Sequence, residues 1–258
     1  MINQKKDLYS KFKINTKIIG KKIYHFKTID STNLYAKKLI KDNIEEGTVI
    51  ISDIQKKGRG RKKRLWSSPV GGLWFSIILY PKISSDRSMF IIMACSISIA
   101  DAIVKITGLK PRVKWPNDIL IKEKKICGIL TEIETINSKI NFSIVGIGLN
   151  VNNEIDENLK KTATSLYLET ESELSNIKIF ETILKNIDEN YQYLINKNYD
   201  YLKRKWLSHS DIINKKVKIK NEENSIIGKV IDVDQCGCII LETDKGKKII
   251  NYGDLKFL

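Results

Sequence analysis

Residues 114–118 read Lys114-Trp115-Pro116-Asn117-Asp118, a short stretch that joins a cation, a rigid proline and two polar acceptors. Proline fixes its own φ and pushes the preceding residue towards extended backbone, so Val113–Trp115 is predicted as a short strand that stops at Pro116. Asp118 is suited to Mg²⁺ held through water, because such sites combine one or two carboxylates with phosphates. The alternative is a plain turn in which Asn117 and Asp118 bond their own backbone.

Downstream of this loop, the pattern predicts a hairpin and then a long apolar strand. The hairpin pairs Ile119–Ile121 with Ile126–Ile133 across a charged turn that ends at Lys125. Spacing alone predicts that Lys125 is a solvated lysine of the hairpin. Ile140–Val151 is predicted as the next strand, and it contains Gly146-Ile147-Gly148-Leu149-Asn150. A lone Gly-x-Gly is typical of close strand packing and is weak evidence for a ligand.

Upstream, the polar segment Gln55–Pro69 is predicted as a long loop, and it contains Gly58-Arg59-Gly60-Arg61-Lys62-Lys63-Arg64-Leu65-Trp66. Three of the six arginines of the chain fall here, and the guanidinium fork suits carboxylates and phosphates. The motif is no dinucleotide fingerprint, because Lys63 stands at the third glycine position, and no P-loop, because Gly-Lys-Ser/Thr is missing. Composition leaves two readings open: an anion site, or a basic localisation or RNA-binding patch.

The remaining pattern predicts an α+β chain. After Asp211 it predicts only short strands separated by turns. Residues 1–20 are expected to form a polar arm, residues 21–210 the main domain and residues 211–258 a small β-barrel. Further strands are predicted at Ile23–Ile29, Thr48–Ser52 and Gly72–Leu79, and in the barrel at Val217–Lys220, Ile226–Val233, Cys238–Thr243 and Lys247–Ile250. Helices are predicted after Ser31-Thr32, from Asp86 or Ser88 to about Ile106 with Gly108 as the stop, over Ile177–Ile195, and on to about Ser208.

Composition excludes several classes of protein. With 42% hydrophobic residues and four cysteines in 258 residues, the chain is neither disordered nor a disulfide scaffold. His25 and His209 stand alone in the sequence, which argues against a histidine triad or metal site. Met89–Val104 is shorter than a membrane span of about 20 residues, and no signal peptide is evident, so a soluble cytoplasmic protein is expected.

The net charge of +15 raises the question of nucleic acid. The lysines are spread along the whole chain, and no helix carries an arginine-rich stripe. We therefore favour a lysine-biased composition on ordinary surfaces over a nucleic-acid footprint.

Taken in order, these motifs resemble those of the biotin–protein ligases. The matching stretches are Ser31-Thr32-Asn33, Gly58–Trp66 with Ser68-Pro69, Lys114–Asp118 with Lys125 and Gly128-Ile129-Leu130, Gly146–Val151, and Ala163-Thr164-Ser165-Leu166. The resemblance covers about residues 23–258. It implies a mixed, largely antiparallel sheet packed by helices, related to class II synthetases, with an SH3-like barrel at the C-terminus.

The resemblance also implies a reaction and its residues. Biotin and MgATP would give biotinyl-5′-AMP, which then acylates a lysine of a biotin carboxyl carrier domain. Implied catalytic residues are Lys125, Arg59, Arg61 and Asp118, with Mg²⁺ at Asp118. Implied biotin-binding residues are Ser31, Thr32, Asn33, Gln55, Arg59, Gly60, Arg61 and Lys125. Implied ATP-binding residues are Arg61, Arg64, Trp66, Asn117, Asp118, Lys125 and Asn150, with Trp66 covering the adenine as the loop closes.

The sequence departs from the family pattern at two places. Lys63 replaces a glycine that is usual in the loop, which is expected to change its stiffness and charge. No DNA-binding domain precedes residue 20, so a monofunctional ligase is expected, with no specific nucleic acid, no membrane partner, and homodimer formation left open. The rivals are a lipoate ligase or octanoyl transferase of the same fold, a transcription repressor, and an RNA-binding protein, whose barrel would offer only Tyr252 and Phe257 for stacking.

Overall fold

The computed structural model describes residues 14–221 and 224–258. Most of the arm expected over residues 1–20 therefore lies outside the described residues. Its last part, residues 14–20, forms turns without a helix. The Asp188 carboxylate accepts backbone N–H bonds of 2.7–2.9 Å from residues 17–19, which fixes this segment to the body of the protein.

The larger sheet contains β1 (Ile23–Ile29), β2 (Val49–Gln55), β3 (Leu73–Leu79), β4 (Arg112–Lys114), β5 (Asp118–Ile121), β6 (Lys124–Ile136) and β7 (Lys139–Leu149). Its order is β1-β2-β3-β7-β6-β5-β4. The pair β1 and β2 is parallel and the other neighbours are antiparallel. The expected mixed, largely antiparallel sheet is therefore confirmed.

Helices cover both faces of this sheet. They are α1 (Thr32–Ile40), α2 (Met89–Thr107), α3 (Leu166–Thr170), α4 (Asn176–Ile195) and α5 (Tyr199–Ser208). On one face, Ala36 of α1 packs in a small cluster with Ile50 and Ile78 of the sheet. The adjacent residues Ile51 and Ile77 point to the opposite face and join the main core with α2, α4 and α5. Because both faces are covered, β3 is buried along its whole length.

Helix α2 begins after Ser88 and ends at Gly108, as predicted. Gly108 has a φ of 71° and its N–H donates to the Val104 carbonyl, which closes the last turn. Within the part of the chain that the structure describes, the segment Ser85–Thr107 alone is long and apolar enough to cross a membrane, and 67% of its apolar 18-residue window is buried. Packing on the sheet and on α4 accounts for its apolar composition.

The C-terminal sheet contains β8 (Lys216–Lys220), β9 (Ser225–Val233), β10 (Ile239–Thr243), β11 (Gly246–Ile250) and β12 (Asp254–Phe257). Its antiparallel order is β11-β10-β9-β8-β12. Four of these strands were predicted and β12 was not, because it is short and follows a turn of polar residues. The small all-β unit after residue 211 is confirmed, while its treatment as a separate domain stays a prediction.

Candidate active site

A cavity of about 530 Å³ lies at the sheet edge where β5 and β6 begin and β7 ends, beneath the loop that follows β2. The N-terminus of α1 closes one side of the cavity, and β12 reaches the other. Every site residue expected from the sequence lines it. These residues are Ser31, Thr32, Asn33, Gln55, Arg59, Gly60, Arg61, Arg64, Trp66, Asn117, Asp118, Lys125 and Asn150.

The side of the cavity at α1 is neutral and rich in hydrogen-bonding groups. The backbone N–H of Thr32 donates to Gln55 Oε1 at 2.9 Å, and Gln55 Nε2 donates to Ser68 Oγ at 2.9 Å. Ser31 precedes the helix and is buried, yet its hydroxyl makes no capping bond. This pocket therefore presents hydroxyl and amide groups that can satisfy a polar, uncharged ligand.

Asn33 forms part of the pocket wall and is held at both ends of its amide. Its Oδ1 lies 2.6 Å from the Ser76 hydroxyl, and its Nδ2 donates to Glu132 Oε2 at 2.9 Å. A Cβ at Gly146 would lie 2.2 Å from Asn33 Oδ1. The first glycine of the Gly-x-Gly motif is therefore required so that Asn33 can lie directly on β7.

Trp66 lies on a surface made by two glycines. A Cβ at Gly148 would lie 2.4 Å from Trp66 Nε1, and a Cβ at Gly128 would lie 2.9 Å from its ring. The Lys125 ammonium lies 5.1 Å from the ring centroid, within cation–π range. Trp66 Nε1 is buried without a hydrogen-bond partner among the described residues. The indole thus lines the cavity next to Lys125.

Lys125 forms an ion pair with Asp118, with 2.6 Å between Nζ and Oδ1. Its backbone is fixed by two hydrogen bonds to the segment after β7: its N–H donates to the Thr162 carbonyl, and its carbonyl accepts from Thr164 N–H. Asn150 Nδ2 in turn donates to the Thr164 carbonyl at 2.9 Å. Asn150 therefore positions the segment that holds Lys125.

The loop side of the cavity is cationic. Arg61 donates to Asn117 Oδ1 at 3.1 Å and to the Gly253 carbonyl at 3.0 Å. Asn117 is oriented by its own bond from Nδ2 to the Ile129 carbonyl at 2.8 Å. The Arg59 guanidinium lies 3.8 Å from Glu132 Oε1.

Asp254, the first residue of β12, contacts three of the loop cations. Its carboxylate lies 3.5 Å from Arg61, 3.2 Å from Lys62 and 3.0 Å from Arg64. Partial burial would raise the pKa of Asp254, but the Lys62 hydrogen bond and the three positive charges outweigh it and hold the pKa below its ordinary value. The loop is therefore tied to the C-terminal sheet by an ionised carboxylate.

Two lysines of the loop have left-handed backbone. Lys62 has a φ of 53° and Lys63 a φ of 58°. A side chain in this region costs about 1 kcal/mol relative to glycine. Lys63 therefore has a backbone conformation that glycine would adopt without this cost.

The acidic groups of the cavity fit Mg²⁺ that arrives with a polyphosphate. Asp118 lines the cavity together with Glu154 and Asp156. Among the described residues there is no group of three or more His, Cys, Asp and Glu that could form a cage for a metal ion. Mg²⁺ keeps several waters and takes one or two carboxylates plus phosphates, so this donor set is compatible with it.

Comparison with known proteins identifies the family. Residues 25–150 match the biotin/lipoate A/B protein ligase family, and residues 212–257 match the biotin protein ligase C-terminal domain. The chain is 31% identical over 250 residues to the bifunctional ligase/repressor BirA of Bacillus subtilis (strain 168), covering 95% of this chain and 77% of that protein. The chain belongs to the biotin protein ligase family. The match to the ligase C-terminal domain favours this branch over the lipoate ligases.

Other biotin protein ligases match over nearly their whole length. The structure of the Aquifex aeolicus enzyme in complex with biotin and ATP superposes with a TM-score of 0.79 and 33% identity, covering 92% of this chain and 99% of that one. The biotin–[acetyl-CoA-carboxylase] ligase of Paracoccus denitrificans is 23% identical, covering 88% of this chain and 97% of that protein. The expected ligase fold is therefore confirmed.

Sequence reasoning missed Asp254, which lines the cavity, and Ser76 and Glu132, which hydrogen-bond to Asn33 in its wall. Ser76 is the single polar residue of the apolar strand β3, where it carries little signal, whereas Glu132 lies near Thr131, Glu134 and Thr135 in the alternating part of β6. Asp254 lies about 190 residues from the loop that it contacts, and no local pattern connects them. An alternation of apolar and polar residues could have flagged Glu132, whereas Asp254 required the tertiary structure.

Proposed function

We propose that this chain activates biotin with ATP to form biotinyl-5′-AMP and pyrophosphate, and then transfers the biotinyl group to a lysine of a biotin carboxyl carrier domain. The observation that carries this proposal is one continuous cavity with a neutral hydrogen-bonding pocket at one side, a cationic loop at the other and Lys125 between them. The neutral side suits the ureido ring of biotin, and the cationic side suits a triphosphate.

In the first step, a carboxylate oxygen of biotin attacks the α-phosphorus of ATP, and the bond to the bridging oxygen of pyrophosphate breaks. Both reactants are anions, so the main task of the protein is to reduce their repulsion. The ammonium of Lys125 has three N–H donors, and can keep its contact with Asp118 while it donates to the carboxylate and the α-phosphate. Arg59, Arg61 and Arg64 supply further positive charge.

Mg²⁺, bound with the triphosphate, would neutralise phosphate charge. Asp118 would hold the ion through water, since one of its oxygens is already paired with Lys125. Asn117 and Asn150 support the nucleotide side by fixing the backbone around it.

In the second step, the unprotonated amine of the carrier lysine attacks the carbonyl carbon of the mixed anhydride. The carbon–oxygen bond to AMP breaks, AMP leaves with the electron pair, and the nitrogen releases one proton to the solvent as the amide forms. No covalent bond to the enzyme is required, because AMP is already a good leaving group. Trp66 and the loop would exclude water, which would otherwise hydrolyse the anhydride.

The experiment is release of pyrophosphate by the purified chain with MgATP and either biotin or lipoate. We expect release with biotin, and transfer of the label from biotin to a purified carrier domain. Activity with lipoate and none with biotin would replace this proposal with a lipoate ligase. We expect the reaction to take place in the cytoplasm, and sedimentation with and without biotin would show whether a homodimer forms.

A further inference from the structure

A second, shallow groove of about 440 Å³ lies beside the cavity, on the solvent side of α1. Its floor is apolar and is formed by Ile29 at the end of β1 and by Leu34 and Tyr35 of α1. Leu34 is 37% exposed, so part of this apolar surface faces the solvent. Ser31 lines both the groove and the cavity, so the two adjoin each other.

Lysines form one side of the groove. Lys37, Lys38 and Lys41 line it, and they share a helix face with Leu34 because residues three and four apart are neighbours on a helix surface. Lys37 is paired with Glu132 at 2.7 Å. Among the described residues, neither Lys38 nor Lys41 forms an ion pair, and both are exposed. The groove therefore combines an apolar floor with positive charge that is free to meet a partner.

The groove also borders the start of the loop over Gln55–Pro69. The N–H groups of Lys56 and Lys57 donate to the carbonyls of Ile29 and Asp30 at 2.8 Å. The Lys57 ammonium lies 3.2 Å from the Asp30 carboxylate. A partner that rests in the groove would therefore contact the protein at the point where the loop begins.

In the proposed function, the carrier domain is the macromolecule that has to reach the cavity. Its acceptor lysine extends on a short flexible stem, so the domain itself must rest against the surface around the cavity. This lysine approaches a chain of net charge +15 and a cationic loop, so acidic groups on the carrier have to offset the repulsion. A nucleic acid fits the groove less well, because its phosphate backbone has nothing to place on the apolar floor.

We propose that this groove is a docking surface for the biotin carboxyl carrier domain, with Lys38 and Lys41 facing acidic side chains and Leu34 contacting an apolar one. The inference rests on the proposed function and adds to it the surface that is used in the second step. Charges at the rim of an interface act mainly on the association rate, whereas apolar contacts act mainly on dissociation. The two contributions therefore differ in their dependence on salt.

The experiment measures biotin transfer to a purified biotin carboxyl carrier domain over a range of carrier concentrations. At low salt, the double variant Lys38→Glu with Lys41→Glu should raise the KM for the carrier about tenfold, which lies within the range of electrostatic steering. Leu34→Gln should raise this KM about threefold, and its effect should persist at high salt while that of the lysines fades. Pyrophosphate release with biotin and MgATP, measured without carrier, should stay at the wild-type rate in both variants.

The double variant Lys245→Glu with Lys248→Glu is the matched control. Both lysines are exposed, have the same three-residue spacing, and lie in or next to β11, the edge strand farthest from β12 in its sheet. The control changes the net charge by the same amount and should leave the KM for the carrier unchanged. Glutamate near the C-terminus of α1 opposes the helix dipole, so Lys38→Gln with Lys41→Gln decides the question if the charge reversal prevents folding.

A wild-type KM for the carrier in the folded charge-reversal variant would overturn the docking surface. An equal rise in the control variant would also overturn it, because net charge rather than the groove would then govern the encounter. Weaker binding of duplex DNA with an unchanged KM for the carrier would assign the groove to nucleic acid instead. Failure of the proposed function is distinct, because the wild-type protein would then release no pyrophosphate with biotin.

Discussion

Lys125 faces Asp118 across β5 and β6 because a β-bulge changes the register between the two strands. Asp118 pairs with Gly128 and Ile119 with Cys127, but Leu120 pairs with Lys125, so Ile126 is the extra residue. The bulge brings Lys125 onto the same face as Gly128, three residues away, where its Nζ reaches Asp118 at 2.6 Å. Bulges commonly redirect side chains next to active sites in this way.

Lys125→Ala is expected to lower the rate of biotinyl-AMP formation by about 10²–10³, the usual loss for one group that stabilises transition-state charge. Lys124→Ala is the control, since Lys124 is the adjacent lysine of β6 and does not line the cavity. The measurement is pyrophosphate release at saturating biotin and ATP, with circular dichroism to verify the fold. Near-normal turnover in Lys125→Ala would remove this lysine from the chemistry.

The bulge is a feature of the site that the sequence alone does not predict. Strict alternation along β6 places Lys125 and Gly128 on opposite faces, so spacing alone favoured a solvated lysine. The resemblance to the ligases placed Lys125 in the site, and the register explains how it gets there.

The fold was more predictable than the site because its main elements are long and periodic. Helix α2 with its Gly108 stop and helix α4 carry strong apolar patterns, and both are confirmed. Helix α3 has five residues, too few to show a helical period, and was missed. The contact of Asp254 with the loop joins residues that are far apart in the sequence, and no local physical rule predicts it.

Gly148→Ala is expected to weaken biotin binding at least tenfold. The new Cβ would lie 2.4 Å from Trp66 Nε1, so the indole must leave its place on β7 and the cavity that it lines changes shape. The measurement is a titration with biotin in which tryptophan fluorescence reports binding.

Ser143→Ala on the same strand is the control for Gly148→Ala. The Ser143 hydroxyl is buried without a hydrogen-bond partner in the described part of the chain, so its removal should leave binding and stability unchanged. Wild-type affinity in Gly148→Ala would mean that Trp66 does not shape the biotin pocket.

Asp254→Asn is expected to loosen the loop over Gln55–Pro69 in the absence of ligand. The three ion pairs are partly exposed, and together they are worth about 1 kcal/mol after solvent screening, which corresponds to about fivefold in loop opening. Tryptic cleavage at the loop lysines and arginines should accelerate by about that factor, and the difference should fade at high salt.

Biotin with ATP should protect the loop in both the wild type and Asp254→Asn, because phosphates then pair with Arg61 and Arg64. Asp244→Asn, in an exposed turn of the same C-terminal sheet, is the control. Cleavage that is equal with and without substrates in the wild type would contradict loop closure. Equal cleavage of wild type and Asp254→Asn would show that Asp254 does not hold the loop.

The net charge of +15 should give only weak, non-specific binding to DNA. Five of the six arginines lie within 4 Å of an acidic side chain among the described residues, which leaves few guanidinium groups for base edges. Backbone charge alone gives dissociation constants of about 10⁻⁴–10⁻⁶ M at physiological salt.

The measurement is titration against random and genomic duplex fragments at about physiological salt, with a salt series to give the slope of log K. A lysine surface that acts only through phosphates should bind all fragments alike and lose affinity steeply as salt rises. The lysine-rich surface would then speed the encounter of the ligase with an acidic carrier domain, and this effect also declines as salt rises. Sequence-selective binding at nanomolar concentration would instead require base contacts, and would support a repressor activity beside the ligase.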